Sequence, residues 1–382
     1  MSRIRRVVAS FGAITLALLA LPFAAHAAVD PAVVQGGVDY LATTQIGGTD
    51  PATGSGAWDG SVVGVFNTFD AVLGIAEAAQ TGPTWSTTEA FDAVDDFENP
   101  DGVDPLPYMD LVGLDATTPG RAAKIITLWA APLGLDPTAF DPDPVHGAPV
   151  DLVDVVGAPM PNGAYADDLH YSDTLYAILA TSLVGGTISP TSVAYIRDGQ
   201  TVDGSWAYNH DATNTADADV DTTSLSIQAL IAAGVSATDA AVVKGLAYIA
   251  GQQEPNGQWF FFGTPSSETT SRALLAVAAA GIDVNSRCWR DSVLPSAVAD
   301  PFVGGDAALS SFAQPDGSIA DPSSFSPSYS TAQALEGLLR NWLPVALGAA
   351  QNCNVPVPPV TSTDPDVMTV ATPVVVTPAF TG

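Results

Sequence analysis

The chain is poor in basic residues, and this shortage excludes two classes of partner. Its 11 lysines and arginines stand against 41 aspartates and glutamates, which gives a formal net charge of −30. Nucleic acids and anionic membrane surfaces are bound by clustered positive charge. We therefore predict no nucleic-acid partner, and we expect the excess of carboxylates to keep the protein soluble.

Long apolar runs are confined to the first residues. A basic start, Arg3 to Arg6, precedes a mostly apolar stretch that ends at the small-residue site Ala25-His26-Ala27. This order is typical of a secretory signal peptide. We expect residues 1–27 to be removed and no transmembrane segment to remain. The mature protein is then predicted to be secreted or associated with the cell surface.

Cysteine and histidine are also scarce. The two cysteines and four histidines do not show the spacing of a familiar zinc site. We predict no metal and no cofactor. Because an exported chain with two cysteines favours one disulfide, we predict a bridge between Cys288 and Cys353.

A segment that recurs about every fifty residues is the strongest positive signal. Asp219–Gly234 and Ser267–Gly281 both open with acidic and hydroxyl residues, run into an Ala/Leu-rich stretch and stop at glycine. An amphipathic helix and an Asp/Asn-Gly turn precede each of these stretches. The second helix of each pair has almost no charge and should be buried on both sides.

Six such pairs close into a double ring, and closure leaves no exposed end of the array to be capped. We therefore predict an all-α, (α/α)6 toroid over residues 28–354, a monomer, followed by a Pro/Thr/Val-rich tail over 355–382. The inner helices are predicted to start near residues 68, 118, 173, 221, 268 and 330.

The turns of the fourth and fifth pairs carry a family resemblance. Gln200-x-x-x-Gly204-x-Trp206 and Gln252-x-x-x-x-Gly257-x-Trp259 resemble the glutamine–tryptophan motifs of triterpene cyclases. The chain is thus similar to the terpenoid cyclase and protein prenyltransferase superfamily, the prenyltransferase and squalene oxidase repeat proteins, whose fold is an α/α toroid. The resemblance implies that these six residues tie the repeats together.

Asp219-Val-Asp221-Thr222 aligns with the Asp-x-Asp-Asp motif of class II cyclases. The resemblance implies that Asp221 takes the place of the proton donor and Asp219 that of the first aspartate, whereas a threonine replaces the last aspartate. The alternative is helix capping, because Asp and Thr at a helix start accept hydrogen bonds from free backbone amides. On that interpretation, Asp221→Ala lowers the stability by about 1 kcal/mol.

Cobalamin carriers are a second similar group of secreted toroids, with inner helices that begin with Asp-Thr. The helix-start rim then offers binding candidates besides the two aspartates. These candidates are Asp173, His170, His210, Thr222 and Glu268.

The sequence favours a non-catalytic protein that binds a small ligand or a cell-envelope partner in the ring or at its rim. One alternative is a cyclase-like enzyme in which Asp221 donates the proton. Another is an (α/α)6 glycan-processing enzyme, for which Asp173 and Asp221 are the carboxylates to test.

Overall fold

The computed structural model describes residues 29–58, 65–82, 84–145, 148–167, 170–295, 301–321, 324 and 326–342. The predicted signal peptide, the predicted tail and Cys353 lie outside the described residues. The Cys288–Cys353 disulfide therefore stays a prediction.

The described residues are mainly α-helical. In chain order the helices are α1 (Pro31–Thr44), α2 (Phe66–Ala78), α3 (Thr87–Asp95), α4 (Leu106–Leu114), α5 (Pro119–Ile125), α6 (Ala131–Leu133), α7 (Leu152–Val156), α8 (Tyr171–Leu183), α9 (Pro190–Asp198), α10 (Val220–Ala232), α11 (Ala240–Gly251), α12 (Ser267–Ala279), α13 (Arg287–Val293), α14 (Gly305–Ser310) and α15 (Pro327–Leu339). A π-helical turn, Ile126–Ala130, joins α5 to α6, so that these pieces act as one helix. None of the described helices has the length and apolarity that a membrane span requires.

Two short antiparallel hairpins interrupt the helices. Strand β1 (Trp206–Ala207) pairs with β2 (Ala218–Asp219), directly before α10. Strand β3 (Phe260–Phe261) pairs with β4 (Thr264–Pro265), directly before α12. Each hairpin therefore fixes the chain where it enters a buried helix.

The helices α2, α5–α6, α8, α10, α12 and α15 form a closed inner ring. Each contacts the next, and α15 packs on α2 to close the circle. The ring helices are buried around most of their circumference, as in α10, where every residue from Thr223 to Ile231 is buried. Helices α1, α3, α7, α9, α11 and α14 pack on the outside of this ring. The predicted all-α toroid is confirmed by these contacts.

The first residues of the ring helices lie within three positions of the predicted starts. Two described helices, α4 and α13, do not belong to a regular helix pair. The sequence analysis missed both of them. The contacts between the ring helices confirm the ring. Because α4 and α13 are inserted, a strict series of six equal helix hairpins is not confirmed.

A threonine in the first turn of a ring helix holds the preceding turn. Thr223 Oγ1 accepts the backbone N–H of Trp206 at 3.0 Å, and Thr270 Oγ1 accepts that of Trp259 at 3.0 Å. Both indole rings are fully buried, and each Nε1–H donates to a carbonyl of the preceding outer helix. The same threonine contact recurs at Thr68, Thr174 and Thr331.

The turn glutamines tie neighbouring repeats together. Gln200 Nε2 donates to the Gly204 carbonyl at 2.8 Å and to the Ala241 carbonyl of the next repeat at 2.8 Å. Gly204 has a φ of 93°, and a Cβ there would lie 2.5 Å from the Lys244 carbonyl oxygen, so only glycine fits.

The second glutamine was assigned to the wrong position. Gln253, not Gln252, donates to the Gly257 carbonyl, at 3.2 Å, and pairs through its backbone with Trp259. The spacing explains the difference, because Gln253 stands four residues before its glycine, as Gln200 does.

Candidate functional site

A cavity of about 560 Å³ lies at one end of the ring, where α8, α10, α12 and α15 begin. We call it the N-terminal cavity. Its lining comes mainly from the first turns of these helices and from the β3–β4 hairpin. The lining residues are Ser172, Tyr176, Asp221, Thr222, Leu225, Phe261, Thr264, Pro265, Ser266, Glu268, Thr269, Arg272, Asp321, Ser324, Ser326, Tyr329 and Gln333.

Arg272 forms the floor of the cavity and links three ring helices. Its guanidinium is 3.1 Å from Asp70 on α2 and 3.6 Å from Glu336 on α15. Both carboxyl groups are buried. Burial and the charge of Asp70 raise the pKa of Glu336 well above its usual value. The network therefore joins α2, α12 and α15 at the point where the ring closes.

Asp221 contributes a carboxyl group to the cavity wall. Its Oδ1 is buried, and the Thr269 hydroxyl lies beside the carboxyl group as a hydrogen-bond donor. Burial, and then the charge of Asp219, raise the pKa of Asp221 to about 7, although Arg272 opposes the shift. Near neutral pH, Asp221 can therefore act as a proton donor or as an ionised acceptor.

Asp219 has a different task from Asp221. It is the N-cap of α10, and its carboxylate accepts the Thr222 backbone N–H at 2.5 Å and the Thr222 hydroxyl at 3.0 Å. Burial raises the pKa of Asp219, and these two hydrogen bonds act against the rise. The capping interpretation thus applies to Asp219. Because Asp221 is not the cap, the expected loss of a cap in Asp221→Ala was assigned to the wrong residue.

Two further residues on α12 complete the polar wall. Glu268 accepts hydrogen bonds from the hydroxyls of Ser266, at 2.8 Å, and Ser330. Thr269 is 2 % exposed, and its hydroxyl lies beside the Asp221 carboxyl group and lowers the pKa of that group, against the effect of burial. The Thr269 hydroxyl and the Asp221 carboxyl group therefore form one polar patch in the wall of the cavity.

The β3–β4 hairpin brings aromatic side chains to the cavity mouth. Phe261 lines the cavity, and its ring packs edge-on against Phe262 with the centroids 4.4 Å apart. Phe262 is 82 % exposed and has a φ of 47°, followed by Gly263 at 82°. Positive φ is costly for a bulky residue, and phenylalanine is ordinarily buried. Both the backbone conformation and the exposure of Phe262 are therefore unfavourable.

The structure brings only some of the predicted rim residues together. Asp221, Thr222 and Glu268 line the N-terminal cavity, whereas Asp173, His170 and His210 are not among its described lining residues. Asp173 pairs instead with Lys124 of α5, at 3.8 Å. The two carboxylates considered for glycan processing therefore lie in different surroundings.

The two histidines make local contacts. His170 is exposed and lies 2.7 Å from Asp167, whose hydrogen bond and charge raise the pKa of the imidazole. His210 stacks on Tyr195 with the ring centroids 3.8 Å apart, and its Nε2 lies 2.8 Å from the Tyr195 carbonyl oxygen.

Sequence reasoning missed Arg272, Tyr176 and Tyr329 as cavity residues. Arg272 did carry a signal, because it is the one basic residue of the helix Ser267–Ala279 and stands directly before the apolar run Ala273–Ala279. A cation on a helix that is buried on both sides needs a partner. The partners themselves are distant in sequence, and no local pattern identifies them.

The comparisons with known proteins return no matching family model and no matching curated protein. Among solved structures, the chain is similar to the type II terpene cyclase MstE from Scytonema in its apo form, with 14% identity, a TM-score of 0.47, and coverage of 82% of this chain and 99% of that one. A variant of that enzyme in complex with geranylgeranyl dihydroxybenzoate gives 14% identity, a TM-score of 0.46, and coverage of 82% and 98%. The ring described above rests on the contacts of the chain itself.

Proposed function

We propose that this protein binds a small organic molecule in the N-terminal cavity, as an exported binding protein. The observation that carries the proposal is a cavity of about 560 Å³ whose wall holds the buried, adjacent polar groups of Asp221 and Thr269. Small-molecule sites have volumes of about 300–1,000 Å³ and a few convergent polar groups.

A cavity-blocking variant tests this proposal. Thr222 lines the cavity and is half-buried, so Thr222→Trp places an indole in the space. We expect compounds that raise the melting temperature of the wild type in a metabolite screen to have no effect on this variant. Val202→Trp is the matched control, since Val202 is 79 % exposed and does not line the cavity. Binding that survives Thr222→Trp would place the ligand elsewhere and contradict the proposal.

The protonation of Asp221 supports a second candidate, acid catalysis on the bound molecule. A carboxyl group with a pKa of about 7 is half protonated at neutral pH and suits general-acid work. In a cyclase-like reaction it would protonate an alkene or epoxide. The cavity wall supports binding more directly than hydrocarbon cyclisation, because carboxyl, hydroxyl and guanidinium groups outnumber its three aromatic side chains, Tyr176, Phe261 and Tyr329.

Incubation with squalene distinguishes the two candidates. The catalytic candidate requires a new product that disappears in Asp221→Asn, with both proteins equally folded by circular dichroism. An unchanged substrate in the wild type counts against cyclisation of squalene and leaves the binding proposal in place.

A further inference from the structure

We propose that Lys124 is a covalent binding site for apolar aldehydes, which its amine holds as imines next to the N-terminal cavity. This inference goes beyond the proposed function, because Lys124 is not among the described lining residues of that cavity. Tyr176 connects the two places, since it lines the cavity and contacts the amine. Failure of the inference leaves the binding proposal in place, because the cavity screen does not depend on Lys124.

The amine of Lys124 lies in an aromatic enclosure formed with two other ring helices. Its Nζ is 5.6 Å from the ring centroid of Phe66 on α2 and 5.2 Å from that of Tyr176 on α8. The lysine side chain is 21 % exposed, and Phe66 is 56 % exposed. A small reagent can therefore reach the nitrogen along the Phe66 ring, while most of the surrounding water is excluded.

Asp173 supplies a carboxylate to the same enclosure. Its Oδ1 lies 3.8 Å from Lys124 Nζ. A Cβ at Gly120 of α5 would overlap the Asp173 carboxyl group, so the carboxylate occupies a place that only glycine leaves open. The packing of α8 on α5 therefore brings one amine and one carboxylate together, and such a pair can move a proton to and from the nitrogen.

The surroundings of the amine favour its neutral form. Burial lowers the pKa of Lys124, and the carboxylates of Asp173 and Asp70 offset only part of the fall. The guanidinium groups of Arg272 and Arg121 lower the pKa further. A desolvated lysine near other cations attacks carbonyl groups readily, because a larger share of its amine is unprotonated near neutral pH.

Imine formation balances with the groups that are present. Asp173 accepts a proton from the ammonium group, and the neutral nitrogen then attacks the carbonyl carbon. The C–N bond forms, and the carbonyl oxygen takes up one of the remaining N–H protons. The C–O bond of this carbinolamine breaks as the nitrogen lone pair forms the C=N bond, and the oxygen leaves as water with the proton that Asp173 returns. The protonated imine keeps the positive charge of the ammonium group, so the ion pair and both ring contacts are retained.

The rings and the carboxylates select the class of aldehyde. An aliphatic chain on the carbonyl carbon can pack against Phe66 and Tyr176 and so remove apolar surface from water. An anionic aldehyde would meet the charges of Asp173 and Asp70 instead. The class is therefore an aldehyde with an uncharged aliphatic chain.

The two lysines of the chain give the test an internal control, since Lys244 is exposed and Lys124 is partly buried. Hexanal with sodium cyanoborohydride at pH 7 converts an imine into a stable hexylamine, and peptide mass spectrometry locates it. We expect Lys124 to be alkylated at least about 10-fold faster than Lys244. Equal rates, or a faster reaction at Lys244, would overturn the proposal.

Two conservative variants locate the fast reaction. Lys124→Arg keeps a cation for Asp173 and removes the primary amine, so the fast phase should disappear. Lys244→Arg is the matched control and should retain the fast phase. A fast phase that persists in Lys124→Arg belongs to another amine and contradicts the assigned site.

A third variant separates proton transfer from simple ion pairing. If Asp173 only holds the amine protonated, Asp173→Asn speeds the alkylation of Lys124. If Asp173 moves the proton, as we expect, the same change slows the reaction about 10-fold. Circular dichroism checks that the variant is folded. A faster reaction in the folded variant rules out the role of Asp173 in proton transfer.

Glyoxylate tests the class of aldehyde, because it carries a carboxylate in place of the aliphatic chain. The rate at Lys124, divided by the rate at Lys244, should be at least about 10-fold lower with glyoxylate than with hexanal. Division by the rate at Lys244 removes the difference in intrinsic reactivity between the two aldehydes. An equal or higher ratio with glyoxylate would show that the apolar class is wrong.

Discussion

The two ends of the ring are built from the same helices and differ in almost every other respect. At the end where the helices begin, the N-terminal cavity is about 560 Å³ in volume and has a polar wall. At the end where they finish, the space left between Leu179, Leu183, Ala232 and Trp342 is about 50 Å³. Arg272 and Tyr176 border both spaces and separate them.

We call the end where the ring helices finish the closed end. Trp342, which follows the last ring helix, lines the small space there. The Trp342 Nε1–H donates to the Thr127 carbonyl at 2.9 Å, and its ring packs on that of Trp85 with the ring centroids 4.9 Å apart. Its backbone N–H donates to Glu77 at 3.1 Å, and burial raises the pKa of that carboxyl group to about 8.

Helix chemistry explains the contrast between the ends. First turns need side chains that accept hydrogen bonds, so acids and hydroxyls collect there, whereas the last turns here are mainly apolar and pack against each other. One end can therefore hold water or a ligand, and the other end contributes to stability.

The largest expected effect comes from removing the cation that divides the two ends. Arg272→Met removes the guanidinium from the buried carboxyl groups of Asp70 and Glu336, which should cost about 3–5 kcal/mol in the free energy of unfolding. Urea denaturation measures the loss. The control is Arg197→Met. Arg197 forms an ion pair with Asp239 in which the two side chains are 43% and 29% exposed, so its loss should cost less than about 1 kcal/mol. Equal losses in the two variants would show that the floor of the cavity has no special role.

The next effect concerns the closed end alone. Trp342→Ala removes the indole that fills it and should cost about 3 kcal/mol of unfolding free energy. Trp342→Phe keeps an aromatic ring and loses the hydrogen bond to Thr127, so its cost should be about 1 kcal/mol. Ligand binding in the N-terminal cavity should be unchanged in Trp342→Phe. A fall in affinity there would mean that the two ends are coupled through Arg272.

The third effect depends on pH and tests the charge of Asp221 in the N-terminal cavity. The folded-state pKa of Asp221 is raised from 3.8 to about 7, so its ionised form is the less stable one in the fold. The destabilisation is absent below about pH 4, grows through the window from 4 to 7, and is complete above it. Asp221→Asn should thus raise the free energy of unfolding by about 2 kcal/mol at pH 8, after allowance for water in the cavity, and have little effect at pH 4. Thermal melts at both pH values measure the difference. A gain of equal size at both would show that the amide acts through something other than charge.

The smallest expected effect lies at the mouth. Phe262→Asn suits the positive φ of the hairpin turn and should stabilise the protein by about 0.5 kcal/mol. Differential scanning calorimetry detects such a shift. If the variant is less stable than the wild type, the exposed ring makes contacts that stabilise the fold and outweigh the cost of its positive φ.

The sequence predicted the toroid because its signals are local and repeated. Ring-helix starts, the capping acid Asp219 and the turn glycine Gly204 all follow from residues a few positions apart. The helix α4 was missed because it lies between the turn Asp101-Gly102 and the ring helix that the repeat pattern places directly after such a turn. Gln252 was chosen over Gln253 because two adjacent glutamines precede the same turn. Of the rim candidates, Thr222, Glu268 and Asp221 line the cavity.

What the sequence by itself determined is therefore the six ring helices and their order around a closed ring. Only the tertiary structure decided which acid caps a helix and which faces the cavity, since Asp219 and Asp221 are two residues apart on one helix start. It also decided that Arg272 meets Asp70, 202 residues away. The physical reason is range: caps and periodicity are set by neighbours in the chain, whereas the charges and volume of the site exist only once the last helix packs on the first.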